Sequence, residues 1–174
     1  SDPNIYAAGD NIELINKITR RVDYFPIATV AHKTGHTAGE NSAGGNNVCQ
    51  PIIKNISVKL FDKYYASIGL SETEARELKF GNKKVIAAVP NLVKIMPESS
   101  TVFGKIIFDP SSRLIFGASF LGGKEVSGYA DIISILIDQK IKADLLYEFS
   151  YNYTPPLSPF INLLSVLGKK IKEA

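Results

Sequence analysis

Ser1-Asp2-Pro3-Asn4-Ile5-Tyr6-Ala7-Ala8-Gly9-Asp10 opens the chain and decides how the rest is read. Ile5 to Ala8 is a short apolar run, and Gly9-Asp10 stops it. That pattern predicts a buried strand with a carboxylate at its C-terminal end. In open α/β sheets, ligands sit beyond the carboxyl ends of the strands. One Asp there can accept two hydroxyl hydrogen bonds from a sugar or a sugar alcohol. The same residues also read as a strand followed by an Asx turn.

Downstream, Asn11 to Val22 is polar, with Ile12, Ile15 and Ile18 at a spacing that suits a helix or a loop. Tyr24-Phe25-Pro26-Ile27-Ala28-Thr29 follows, and Pro26 marks a helix start, where its missing N–H costs nothing. From Val30 to Ala43 small residues recur (Ala31, Gly35, Ala38, Gly39, Ala43), so this helix can lie close to another backbone. Gly44-Gly45-Asn46-Asn47 ends it. Small residues at a helix N-terminus leave room for a ligand to approach the free N–H groups. His32 and His36 share one face of this helix, a spacing that can hold a metal. No third ligand is near in sequence, so no metal site is expected and a solvated face is the better reading.

The second part of the chain has a different rhythm. Ile56 to Phe61 alternates like a strand, and Tyr64 to Leu70 reads as another. Ser71-Glu72-Thr73-Glu74 spells a capping box opening a short helix to Leu78. Val85 to Val89 reads as a strand stopped by Pro90. Thr101 to Phe108 and Leu114 to Phe120 form a hairpin around Asp109-Pro110-Ser111-Ser112-Arg113. Lys124 to Gln139 is the clearest helix, with Val126, Tyr129, Ala130, Ile133, Leu136 and Ile137 on one stripe. Residues 143 to 147 add a turn, and Pro159 to Lys172 closes as a helix with Ile161, Leu164 and Leu167 on one face.

Composition narrows the function classes. With 174 residues the chain holds one domain, or one domain plus a piece of another. The net charge of +3 is scattered, and no run of five basic residues occurs, so no nucleic-acid partner is expected. No apolar run approaches a membrane span, so no membrane partner is expected either. The single cysteine, Cys49, permits no intrachain disulfide and fits a reducing, cytoplasmic setting. Nothing basic flanks it to lower its pKa, and it reads as a bystander. The only Met is Met96, and the chain opens directly on a strand motif; we expect a C-terminal fragment of a longer protein.

Three of these stretches carry a resemblance. S-D-P-N-I-Y-A-A-G-D resembles the second flavin-binding motif of the FAD-dependent pyridine nucleotide-disulfide oxidoreductases. Y-F-P-I-A-T-V-A-H-K-T-G-H-T-A-G-E-N-S-A-G-G resembles that family's flavin-facing helix. Tyr151-Asn152-Tyr153-Thr154-Pro155-Pro156-Leu157-Ser158 resembles the Y-x-P-P-x-S motif of its coenzyme A-disulfide reductases and related NADH oxidases. The resemblance covers nearly the whole chain in collinear order.

It implies an α+β fold: a C-terminal dimerisation domain (residues 48–174) with an antiparallel sheet and packed helices. The last strand and helix of an FAD-binding Rossmann-like domain (residues 1–47) would precede it. It implies that Asp10 binds the ribityl chain of FAD. Ile27, Ala28 and Thr29 would contact the flavin ring, largely through backbone atoms. It implies Tyr153 as a catalytic phenol near the redox centre of the other subunit. The parent would be an FAD-dependent NAD(P)H:disulfide oxidoreductase and a homodimer, reducing a disulfide, persulfide, peroxide or oxygen. NAD(P)H would be its cosubstrate. The FAD pyrophosphate fingerprint G-x-G-x-x-G, the redox cysteine and the NAD(P)H domain are not in these residues, so the chain alone is expected to be inactive. Leu157 stands where some relatives carry an aromatic. The alternative is a stand-alone homodimerising interaction module without catalytic activity.

Overall fold

A computed structural model describes residues 2–80 and 83–174, so Ser1 of the opening stretch lies outside the described residues. The chain separates into two units, Ser1–Lys54 and Asn55–Ala174.

In the first unit the polar stretch after Asp10 is neither helix nor open loop. It folds back as a short antiparallel hairpin, β1 (Glu13–Ile15) against β2 (Val22–Tyr24). Asn16 explains the reversal: buried, its Oδ1 accepts the N–H groups of Ile18 (2.9 Å) and Thr19 (3.3 Å). Such a side-chain turn offers the backbone an alternative to helix. The ladder is finished from far along the chain, where the Ile52 N–H donates to the Ile15 carbonyl at 2.8 Å. Helix α1 (Ala28–Ser42) follows where the small residues predict it. Gly44 takes φ +94°, and a Cβ on Gly45 would come within 2.8 Å of the Glu40 carbonyl oxygen, so the glycines are needed to leave the helix. Val30 of α1 packs with Phe25 and Ile52, and Leu14, Ile27 and Cys49 border that cluster. Residues 48–54, read from the sequence as the start of the second domain, thus pack with the first unit.

One expectation fails here. Ile5 to Ala8 is not a buried strand: the segment pairs with no other strand among the described residues, and Ile5 is 75% exposed. A strand is made by its neighbour, and an apolar run with no ladder partner stays irregular.

The second unit is a five-stranded antiparallel sheet in the order β3-β4-β7-β6-β5. Its strands are β3 (Asn55–Leu60), β4 (Lys63–Gly69), β5 (Lys83–Pro90), β6 (Thr101–Phe108) and β7 (Ile115–Gly122). Between β4 and β5 lies α2 (Glu72–Glu77), opened by the capping box: Ser71 Oγ accepts the Glu74 N–H, and Glu74 Oε2 accepts the Ser71 N–H. β5 ends at Pro90 as the sequence predicts, with Pro90 its last paired residue, opposite Thr101. Proline is tolerated there because β5 is an edge strand.

Helices cover one face of the sheet. On α3 (Val126–Asp138) all six residues of the predicted stripe are buried. Phe120 of β7 meets Tyr129 with ring centroids 5.6 Å apart. Burial pushes the Tyr129 phenol up to about 12, with the Glu125 carboxylate adding to it. A 3₁₀ turn (Ala143–Tyr147) leads on to α4 (Leu163–Lys172). This last helix starts four residues later than its apolar pattern predicts, because Asn162 Oδ1 caps it by accepting the Leu164 N–H at 2.9 Å. Ile161 therefore lies outside the helix and is exposed, while Leu163, Leu164, Leu167 and Ile171 are buried. Gly104 of β6 sits beneath Leu163 and Leu167, which seats α4 directly on the sheet.

Candidate functional site

Two groups of residues carry chemistry, one in each unit. In the first, the Gly9-Asp10 turn is docked on α1. The Gly9 N–H donates to Thr34 Oγ1 at 3.0 Å, and that hydroxyl lies within donating reach of the Val30 and Ala31 carbonyls, each at 3.0 Å. Gly9 takes φ +81°, and a Cβ there would lie 3.7 Å from the Ala31 Cβ. Small residues on both partners allow this close approach. Tyr24 completes the turn by donating its hydroxyl to the Asp10 carbonyl at 2.8 Å. The Asp10 side chain is thereby left exposed on a fixed backbone.

The start of α1 is open. Ile27 is its N-cap, extended at φ −132° and ψ 125°, with no side-chain cap and no acidic residue in the first turn. The leading N–H groups and the positive end of the helix dipole are thus not neutralised by the helix's own side chains. Ala28 and Thr29 are exposed, and Ile27 is half-buried at the edge of the Phe25 cluster. All four residues expected to hold a flavin therefore lie on the α1 side of this unit. An exposed carboxylate suits polyol hydroxyls, and an uncapped helix start suits an electron-rich ring edge. The residues present fit that part of the cofactor.

Neither Thr34 nor Tyr24 was singled out in the sequence. The signal for Thr34 was a hydroxyl placed one turn after Val30, on the apolar side of a helix. We expect Thr34→Val to raise amide hydrogen exchange at Gly9 by about fivefold, the loss of roughly 1 kcal/mol of hydrogen bonding, with α1 itself still protected. His32 and His36 do face each other, ring centroids 4.5 Å apart, on the exposed side of α1. Among the described residues no group of three or more His, Cys, Asp or Glu side chains gathers to hold a metal. Cys49 is half-buried, and its Sγ lies 3.7 Å from the Gln50 carbonyl oxygen.

The second group is the Tyr153 loop. Ser158, buried, ties it: the Thr154 N–H donates to Ser158 Oγ (3.0 Å), and Ser158 Oγ donates to the Asn152 carbonyl (3.2 Å). The Ser158 N–H returns to the Thr154 carbonyl at 3.0 Å. With Pro155, Pro156 and Pro159 fixing φ, the loop has little freedom left. Tyr153 itself is half-exposed, its ring at right angles to that of Phe160 with centroids 5.3 Å apart. Tyr151 is different: its hydroxyl donates to the Leu146 carbonyl at 2.8 Å, and burial holds that phenol far above its ordinary value.

The model of the pyridine nucleotide-disulphide oxidoreductase dimerisation domain matches residues 56–163. A coenzyme A disulfide reductase of Staphylococcus aureus is 30% identical over 174 residues, 98% of this chain and 39% of that protein. An NADH oxidase of Methanocaldococcus jannaschii is 30% identical over 173 residues, 97% of this chain and 38% of that protein. Among solved structures, a NAD-dependent persulfide reductase from A. fulgidus superimposes with a TM-score of 0.92 at 31% identity, covering 99% of this chain and 32% of that one. The chain thus spans about two fifths of the length of the curated relatives it matches.

Proposed function

Because this chain belongs to the pyridine nucleotide-disulphide oxidoreductase family, we propose that the whole protein is an NAD(P)H-dependent flavoenzyme. It would use FAD and a redox cysteine to reduce a disulfide, a persulfide, peroxide or oxygen. FAD, when bound, supplies two-electron chemistry between the nicotinamide and the thiol. The observation that carries the reading is the Gly9–Thr34 dock, which fixes the backbone before Asp10 on an α1 whose N-terminus is open, leaving the carboxylate exposed.

In this reading Asp10 accepts hydrogen bonds from ribityl hydroxyls. The backbone at Ile27, Ala28 and Thr29 meets the ring edge, where the helix dipole favours negative charge. Residues 48–174 pair two copies of the protein. The acceptor's thiolate is served by Tyr153, whose O–H can donate to it.

These residues hold only one end of the cofactor, since the pyrophosphate cradle of the family is not in this sequence. The purified 174-residue chain should therefore retain far less than one equivalent of FAD after desalting. Visible flavin absorbance against protein concentration measures it. A yellow preparation at one flavin per chain would show that the site is complete without the rest. Return of tight FAD binding in the whole protein, and its loss in Asp10→Ala, is the positive arm.

A further inference from the structure

Asp10 lies where no ladder holds the chain. Ile5 to Ala8 pairs with no strand among the described residues, and β1 begins only at Glu13. A turn with no support of its own would present its carboxylate over a range of positions. Here two hydroxyls from different elements bracket it. Thr34 of α1 is 3% exposed, and its Oγ1 accepts the Gly9 N–H at 3.0 Å. The hydroxyl works both ways, since its own proton goes back to the Val30 or Ala31 carbonyl, each at 3.0 Å. Tyr24 of β2 donates its hydroxyl to the Asp10 carbonyl at 2.8 Å. The first donor and the last acceptor of the Gly9-Asp10 pair are thus both tied down from outside the turn.

Tyr24 is itself held. Its N–H donates to Asp23 Oδ1 at 2.8 Å, and Asp23 Oδ2 accepts the Asn16 side-chain amide at 3.0 Å. Asn16 is the buried residue that turns the hairpin, and Tyr24 pairs with Glu13 across it. The hairpin fixes the backbone from which Tyr24 reaches back to Asp10.

We infer that Thr34 and Tyr24 are positioning residues for the Asp10 carboxylate, and that the β1–β2 hairpin is the brace that delivers the second of them. The inference rests on the reading of Asp10 as the acceptor for ribityl hydroxyls and adds the groups that set where that carboxylate stands. Hydroxyl-to-carboxylate bonds need oxygens about 2.5 to 3.0 Å apart, so a small displacement of the turn loses them. A turn already held in its working position gives up little freedom when the ligand arrives. Thr34 has a second consequence. It belongs to the helix whose open N-terminus meets the ring edge in the same reading, so its bond to Gly9 sets the spacing between the polyol end and the ring end of the site.

A double-mutant cycle on FAD binding separates positioning from plain support of the fold. Apoprotein of the whole enzyme is titrated with FAD, and quenching of flavin fluorescence is followed. With Asp10 present, Thr34→Val should weaken FAD binding by about fivefold or more, and Tyr24→Phe by about threefold or more. Thr34→Ser keeps a hydroxyl that both donates and accepts, and should bind within about twofold of the parent. In an Asp10→Ala background neither Thr34→Val nor Tyr24→Phe should change binding by more than about twofold, because the carboxylate they act through is gone. Tyr24→Phe removes only a half-exposed hydroxyl and carries the test by itself if Thr34→Val does not fold. An Asp10→Ala protein that binds FAD as the parent does overturns the ribityl reading and this inference with it. If Asp10→Ala weakens binding, but the hydroxyl variants bind like the parent or lose the same factor in both backgrounds, Thr34 and Tyr24 serve only the fold and this inference fails alone.

Discussion

Gly117→Ala is expected to destabilise the second unit by about 3 kcal/mol or more, read as a lower midpoint in urea denaturation followed by circular dichroism. Gly117 lies on β7, a central strand, opposite Gly69 and Ile107. An added Cβ would fall 1.9 Å from the Leu70 carbonyl oxygen and 2.9 Å from the Leu70 backbone nitrogen. That backbone is held in place: the Leu70 N–H donates to the Phe116 carbonyl at 2.8 Å, and Gly69 before it takes φ +68°. The obstacle is main chain, which cannot swing aside as a side chain can. Gly104 offers the contrast. Its added Cβ would meet only the ends of Leu167, Leu163 and Phe120, at 2.9 to 3.0 Å. Gly104→Ala should therefore cost less, about 1 to 2 kcal/mol, while α4 shifts outward. If Gly117→Ala unfolds within about 1 kcal/mol of the parent, the chain leaving β4 yields more readily than its hydrogen bond implies.

What could be read without coordinates was what neighbouring residues decide among themselves. The α3 stripe follows from helical period alone, and every residue of it is buried. The capping box needs only Ser71 and Glu74, and both of its hydrogen bonds form. The elements that escaped are those completed from a distance. Ile12, Ile15 and Ile18 fit neither period cleanly, and the β1–β2 hairpin is finished by Ile52 from beyond α1. Ile5 to Ala8 has the residues of a strand and no ladder to join, so it is not one. The site divides in the same way. Asp10, Ile27, Ala28, Thr29 and Tyr153 were marked by spelling. Thr34 and Ser158, which hold two of those segments still, have no spelling of their own. A hydroxyl in a helix or a loop is unremarked until a backbone N–H from another segment arrives at it.

Tyr153→Phe in the whole protein should slow the thiol-dependent half-reaction by about 10²- to 10³-fold, the cost of removing one hydrogen-bond donor from a developing anion. NAD(P)H-driven flavin reduction should be unaffected. The loop geometry favours a donor role over plain packing. Ser158 holds the backbone on either side of Tyr153, three prolines stiffen the loop that follows, and Phe160 packs at right angles to the ring, so the ring is steadied while the residue stays half-exposed. Tyr151 cannot take over. Its hydroxyl already donates to the Leu146 carbonyl, and burial shifts that phenol upward. The substitution also separates this role from packing, because phenylalanine keeps the edge-to-face contact with Phe160. A Tyr153→Phe protein with the parent's sedimentation behaviour and a slowed thiol step identifies the hydroxyl as the acting group. An unchanged thiol step, with Tyr153→Ala merely lowering stability or weakening the dimer, would reduce Tyr153 to an anchor for Phe160 and remove it from the chemistry.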